Sequence, residues 1–132
     1  MTLSDLFGPP ISTYTRAQAI EDGELIDASS TAREAGITFP VALTRAAWAA
    51  YVAVPAGVRC QDEAGRLWDI LWMLRCAIRR GSNDPSLITF WLHVRNHNRA
   101  RLDRRDLVQL KAVCGPGDDA PPVITIMQPD ED

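Results

Sequence analysis

The sequence has little of the chemistry that usually identifies a small protein. Its three cysteines, Cys60, Cys76 and Cys114, are widely spaced and form no C-x-x-C pair, which argues against a disulfide framework and against a zinc site. No stretch approaches the roughly 20 apolar residues that cross a bilayer, and residues 1–10 lack the basic and apolar regions of a signal peptide. We therefore expect a soluble, cytoplasmic protein with no membrane span, no metal and no cofactor.

Motifs of common enzymes are also missing. There is no P-loop, no G-x-S-x-G and no G-x-G-x-x-G after a strand. We assign no catalytic residue. Enzyme activity stays open as a third interpretation, and it would require a pocket in which titratable groups converge, such as His93 with Asp22 or Asp27.

What is present is an ordinary globular composition. The chain has 132 residues, of which 46% are hydrophobic and 23% are charged, so it predicts one domain with its own core. The net charge is −3, but its distribution is uneven: the first 34 residues lean acidic, whereas residues 75–111 carry most of the arginines and the single lysine. One face is therefore expected to be locally basic.

Helix signals fill the first part of the chain. Capping-box patterns begin at Thr15 and Thr31, and glycines that can end each helix follow at Gly23 and Gly36. Thr44 caps an alanine-rich helix that stops before residue 55.

The longest helix is predicted over residues 62–80, where apolar residues recur with a period of about 3.6. Trp48, Trp68 and Trp72 lie on the apolar stripes of these helices, which predicts that they are core residues.

Strand signals fill the last part. Residues 87–95 alternate between apolar and polar side chains, and residues 107–114 and 123–127 form two further strands around a turn-rich linker. The sequence predicts an α+β fold in which three to four helices pack on one face of a C-terminal three-stranded antiparallel meander. Two pieces, residues 25–26 and 37–43, are left as either extra edge strands or loops.

The expected layout is an extended segment over residues 1–14, a mainly helical part over residues 15–81, the sheet over residues 87–128 and an acidic tail over residues 129–132.

The outward face of the meander is the first candidate site. Trp91 alternates with the buried residues of its strand, and an exposed indole beside charges is typical of an interface hot spot. The candidate interaction residues are Trp91, His93, Arg95, His97, Arg99 and Lys111. His93 and His97 are four apart, but they leave a strand for a loop and have no third ligand nearby, so we do not assign them to a metal.

Nucleic-acid binding is the alternative for the same stretch, because arginines beside an aromatic surface suit phosphates and stacked bases. The residues of this alternative are Arg95, Arg99, Arg101, Arg104 and Arg105. The acidic total and the lack of a helix-turn-helix, zinc-finger or RNA-recognition signature weigh against it.

Two motifs carry a resemblance: YTRAQAIEDG followed by LID, at residues 14–27, and LKAVCGPGDD running into VITIM, at residues 110–127. With FPVALTR at residues 39–45 and GRLWD at residues 65–69, the chain resembles, over nearly its whole length, a family of short bacterial proteins without assigned function. Those proteins are carried on plasmids, integrative elements and phages. The family has no established catalytic or binding residues to transfer.

The resemblance implies a small accessory protein of a mobile element. Such proteins often bind a host or element-encoded protein or nucleoprotein complex, for example to inhibit a defence system such as CRISPR. Macromolecular interaction is therefore the leading functional hypothesis, by association with that context.

Overall fold

A computed structural model of the protein describes residues 14–132. The described helices are α1 (Arg16–Asp22), α2 (Ser29–Glu34), α3 (Arg45–Tyr51) and α4 (Glu63–Arg80), with a 3₁₀ turn at Arg104–Asp106. The strands are β1 (Leu25–Asp27), β2 (Val41–Thr44), β3 (Leu87–His93), β4 (Leu107–Pro116) and β5 (Pro122–Met127). The predicted extended N-terminal segment and the region tested for a signal peptide lie outside the described residues, apart from Tyr14.

All five strands form one mixed sheet in the order β1-β2-β5-β4-β3. Strands β3, β4 and β5 pair antiparallel, but β2 pairs parallel with β5, and β1 pairs antiparallel with β2. The α+β class is therefore right, whereas the predicted three-stranded antiparallel meander is wrong. The two pieces left open as edge strands or loops both join the sheet, and β2 takes an inner position in it.

The composition of β2 explains this position. Val41, Ala42 and Leu43 are fully buried, so this strand is covered on both faces and shows an apolar run instead of an alternation. The strand starts directly after Pro40, whose carbonyl still accepts a hydrogen bond from Ile124 N–H at 2.9 Å. Proline lacks an N–H, so it suits the start of a strand, where its carbonyl can accept a hydrogen bond and no N–H is needed as a donor.

The main core lies between α4 and one face of the sheet. The buried arc of α4 includes Leu67, Leu71 and Leu74, and it packs in one cluster with sheet residues such as Phe90 and Leu110. None of the helices between residues 14 and 132 has the length and apolar composition needed to cross a membrane.

Helix α1 packs on the opposite face, so the prediction that all helices share one face is also wrong. Ile124 faces the core, and the next side chain, Thr125, must therefore point the other way. There it accepts a hydrogen bond from Arg16 Nη1 at 2.6 Å. The Asp118 carboxylate, from the β4–β5 loop, accepts from Arg16 N–H at 2.8 Å and from Ala17 N–H at 3.0 Å, which ties the start of α1 to the sheet.

Local signals placed most helix ends well. The capping box at Thr15 is confirmed, since its side chain accepts from a backbone N–H of α1 while Gln18 bonds back. The capping box predicted at Thr31 is wrong, because α2 already begins at Ser29. Asp27 Oδ1 accepts from Ser29 Oγ at 2.6 Å, and this local turn starts the helix two residues earlier.

The C-terminal tail takes part in the fold. Glu131 Oε2 accepts hydrogen bonds from Thr44 Oγ1 and from Gln128 N–H, both at 2.7 Å. Lys111 Nζ donates to the Glu131 carbonyl. The tail therefore links β4 to the start of α3, a role that its acidic composition did not indicate.

Candidate functional site

Strand β3 ends the sheet, and one of its edges has no neighbouring strand among the described residues. Two backbone bonds show which of its residues face β4: Cys114 N–H donates to Ser86 O at 2.8 Å, and Val94 N–H donates to Asp106 O at 2.9 Å. In an antiparallel pair, hydrogen-bonded positions alternate with positions whose backbone groups point away. The even-numbered residues of β3 therefore bond to β4, and the odd-numbered residues direct their N–H and C=O groups to the free edge.

One of these odd-numbered residues is satisfied locally. Leu87 N–H donates to Asp84 O, and the Leu87 carbonyl accepts from Ser82 Oγ, each at 3.1 Å. The remaining three have no backbone partner in residues 14–132, which leaves six groups at the edge, one N–H and one C=O for each residue. These residues are Thr89, Trp91 and His93.

The side chains of the same three residues lie on the face of the sheet away from α4. The Trp91 side chain is 51% exposed, and His93 is also exposed. Thr89 lies opposite Lys111 of β4, and His93 lies opposite Leu107 of β4. The side chains of Lys111 and Leu107 therefore share the face of the sheet that carries Thr89, Trp91 and His93. The structure thus brings together three of the predicted interaction residues, Trp91, His93 and Lys111.

A groove runs along the free edge, between β3 and α4. Its walls include Trp72 and Met73 from the helix, and Trp91 and His93 from the strand. Trp72 is 42% exposed, so the prediction that this residue belongs to the core is wrong. An extended backbone placed at this edge would therefore have one indole on each side.

Helix geometry could have found Trp72 from the sequence. At about 100° per residue, position 72 lies about 160° around the helix from the buried Leu74, which is nearly the far side. Two side chains of α4 pack against the Trp72 ring, one from the preceding turn and one from the following turn. Trp68 stacks on it with ring centroids 5.9 Å apart, and the Arg75 guanidinium lies 4.7 Å from its centroid.

Two other predicted interaction residues have a different role. The buried Asp106 carboxylate accepts from His97 Nε2 at 2.6 Å, from Arg99 Nη2 at 3.0 Å and from Asp103 N–H at 2.8 Å. His97 Nδ1 accepts from Arg99 N–H at 2.9 Å, so the ring proton sits on Nε2. The Asp103 N–H and the His97 ring lower the pKa of Asp106 against the effect of burial. His97 and Arg99 thus use their polar groups to fold the loop after β3.

The arginines of the nucleic-acid alternative are partly engaged as well. Arg95 Nη1 donates to the Arg99 carbonyl at 2.5 Å. Arg105 donates to both oxygens of Asp103, from Nη2 to Oδ2 at 2.7 Å and from Nε to Oδ1 at 3.2 Å. This pairing lowers the pKa of the Asp103 carboxyl and raises that of Arg105. Three arginines of the set form no ion pair within the described range: Arg95, Arg101 and Arg104.

A buried arginine supports the end of β3. Arg66 is 5% exposed and donates to Val52 O at 3.1 Å, to Arg95 O at 2.5 Å and to Asn96 Oδ1 at 2.7 Å. Burial lowers the pKa of its guanidinium. Sequence reasoning missed this residue, although its place in α4, four residues before the fully buried Ile70, is a signal that it faces inwards.

The pairing of His93 with Asp22 or Asp27, considered for the enzyme interpretation, does not form. His93 is on β3, at one end of the sheet, whereas Asp27 is on β1, at the other. Four strand spacings separate them, which is about 19 Å. Asp22 is on α1, which packs next to β1. Over residues 14–132 no three His, Cys, Asp or Glu side chains come together as metal ligands would.

Comparison with known proteins gives one match. A family model described as a family of unknown function (DUF6573) matches residues 8–132. No curated protein and no solved structure matches the chain.

Proposed function

The chain belongs to this family of unknown function (DUF6573), and from its geometry we propose that it binds an extended segment of a partner protein at the free edge of β3. The observation that carries the proposal is the row of outward N–H and C=O groups on Thr89, Trp91 and His93. An extended chain can add to such an edge as a further strand, and the backbone pairing then supplies part of the affinity.

The backbone bonds alone would give at most weak binding. Six hydrogen bonds at a net 0.5–1.5 kcal/mol each contribute about 3–9 kcal/mol, whereas association costs roughly 4–15 kcal/mol. Side chains must supply the remainder, and buried aromatic anchors contribute about 2 kcal/mol or more each. Trp91 and Trp72 are exposed on the two sides of the edge. We therefore expect apolar partner side chains opposite both indoles.

The groove fits a single segment better than a second copy of the chain. A second copy would present its own β3, whose inward side chains, such as Phe90, are buried under its own α4. Those side chains would not reach the groove beside Trp72. An isolated extended segment has no helix of its own, so alternate side chains can fill the groove while the others lie along Trp91.

The resemblance supports a biological setting for this activity. We propose a cytoplasmic accessory protein of a plasmid, an integrative element or a phage, which acts on a host or element-encoded protein. By occupying a strand edge or supplying one, such a protein would block the assembly of its target, for instance a defence complex such as CRISPR.

A proline substitution tests the edge directly. The Thr89 N–H points to the free edge of β3. Thr89→Pro therefore removes one hydrogen bond to an added strand and leaves the bonds between β3 and β4 intact. Thr89→Val keeps the N–H and is the matched control. Peptides would be selected from a displayed random library on the wild-type protein and titrated into both variants. Thr89→Pro should weaken binding at least about tenfold, since it loses a hydrogen bond and hinders close approach of the added strand.

Other partners are separated by the same experiment. Binding of mixed-sequence single-stranded or duplex DNA at low salt, competing with the selected peptide, would support the nucleic-acid alternative and refute this proposal. Concentration-dependent dimers that Thr89→Pro abolishes would identify a second copy as the occupant. Equal peptide affinity for both variants would show that the edge is not the site.

A further inference from the structure

A separate cavity lies on the other side of α4, between its C-terminal half, residues 36–39 and the inner face of the sheet. It encloses about 250 Å³. Its floor is apolar and buried, with Leu74 from the helix and Ala112 and Ile124 from the sheet. The thiol-bearing Cys114 is half-buried and also lines it. No acidic side chain lines the cavity in the part of the chain that the structure describes.

The mouth of this cavity is both apolar and basic. Phe39 is 43% exposed and Ile78 is 37% exposed, which is unusual for large apolar side chains grouped in one place. Arg75 and Arg79 stand beside them on α4. Neither arginine forms an ion pair with any residue between 14 and 132.

Gly36 lies against Arg75 at this mouth. The backbone φ of Gly36 is +93°, which residues other than glycine rarely adopt. A Cβ at this position would lie 3.1 Å from Arg75 Nε, so the glycine also leaves space for the arginine. The guanidinium is therefore held between the backbone at residue 36 and the Trp72 ring.

We propose that this cavity binds the carboxylate of a short apolar acid, with the hydrocarbon on the buried floor and the carboxylate between Arg75 and Arg79. Arginine donors pair with carboxylates through parallel hydrogen bonds, which a neutral head group does not match. The volume lies just below the roughly 300–1,000 Å³ typical of sites for drug-sized ligands. A medium-length acyl acid therefore fits better than a long lipid or a nucleotide.

This proposal does not rest on the one at the β3 edge: the two sites share no lining residue, although Arg75 of this cavity packs on Trp72 of that groove. Cys114 provides a reporter for the cavity. In a Cys60→Ser and Cys76→Ser variant of the full chain, the rate of alkylation of Cys114 by N-ethylmaleimide would be measured against octanoate, octanol and octylamine. Octanoate should slow alkylation in a saturable way, and octanol should need at least about a tenfold higher concentration.

A double variant tests the basic mouth. Arg75→Gln with Arg79→Gln should lose at least about tenfold in octanoate affinity and keep its weaker response to octanol. The octanoate and octanol comparison on unaltered arginines keeps the test valid if the double variant folds poorly. Equal protection by octanoate and octanol would overturn the proposal. A lack of protection by octanoate would overturn it as well.

Discussion

Proline at two adjacent positions of β3 should have opposite consequences. The Ile88 N–H donates to Ala112 in β4, whereas the Thr89 N–H points to the free edge. Ile88→Pro therefore removes a bond between β3 and β4, whereas Thr89→Pro removes a donor that has no backbone partner among the described residues. The comparison tests the register on which the proposed strand-addition site depends.

The expected difference follows from the structure. Ile88→Pro leaves the carbonyl of the buried Ala112 without its donor, at about 1–3 kcal/mol. It also removes part of a half-buried side chain, at about 1–2 kcal/mol. Thr89 is exposed, so Thr89→Pro loses neither term and costs roughly 1 kcal/mol for the restricted φ. The same φ cost applies to Ile88→Pro and cancels, so Ile88→Pro should lower the free energy of unfolding by about 2–5 kcal/mol more than Thr89→Pro.

Urea denaturation of both variants measures this difference, with Ile88→Val and Thr89→Val as matched controls. The slope of the free energy against urea concentration should stay constant, so that the midpoints report stability. If Thr89→Pro lost as much stability as Ile88→Pro, the alternation of β3 would be wrong, and the site at its edge would lose its basis.

Further predictions concern backbone exchange, the buried arginine, the cavity mouth and the anchor of α1. In hydrogen–deuterium exchange by NMR, the three outward amides of β3 should exchange at nearly unprotected rates. The even-numbered amides of β3 should exchange more slowly by three or more orders of magnitude if their opening requires about 5 kcal/mol. Equal protection of the two sets at high dilution would contradict the free edge. Arg66→Met leaves three acceptors without their donor and should lower the free energy of unfolding by about 3–5 kcal/mol, as measured by chemical denaturation. A loss below about 1 kcal/mol would contradict these contacts. Gly36→Ala should cost about 1–2 kcal/mol because of its positive φ, and a neutral result would show that the turn can rearrange. The two backbone N–H groups at the start of α1 lower the pKa of Asp118, so its carboxylate stabilises the fold above the ordinary carboxyl pKa of about 3.9 and loses this effect as the pH falls through the lowered value. The difference in stability between wild type and Asp118→Asn, measured by thermal unfolding from pH 7 to pH 2, should therefore shrink towards acid, and a constant difference would refute the role of the charge.

Local patterns in the sequence determined much of the molecule. The capping box at Thr15, the cap at Thr44 and the long amphipathic helix are interactions between residues a few positions apart, so the sequence shows them directly. The alternation of residues 87–93 in the same way placed Trp91 and His93 on one face and the core residues on the other. Those predictions hold because their energies depend on neighbours along the chain.

Only the tertiary structure decided how these elements meet. Val41 pairs with Ile124, which lies 83 positions further along the chain, and nothing in either segment indicates the direction of that pairing. The same is true of α1, which reaches the far face through a contact between Arg16 and Thr125. Such pairings are selected by the total apolar area that the assembled layers bury, which is a property of the whole chain. Within residues 14–132, that assembly leaves the edge of β3 without a neighbouring strand beside Trp72, and so makes an ordinary helix residue part of the candidate site.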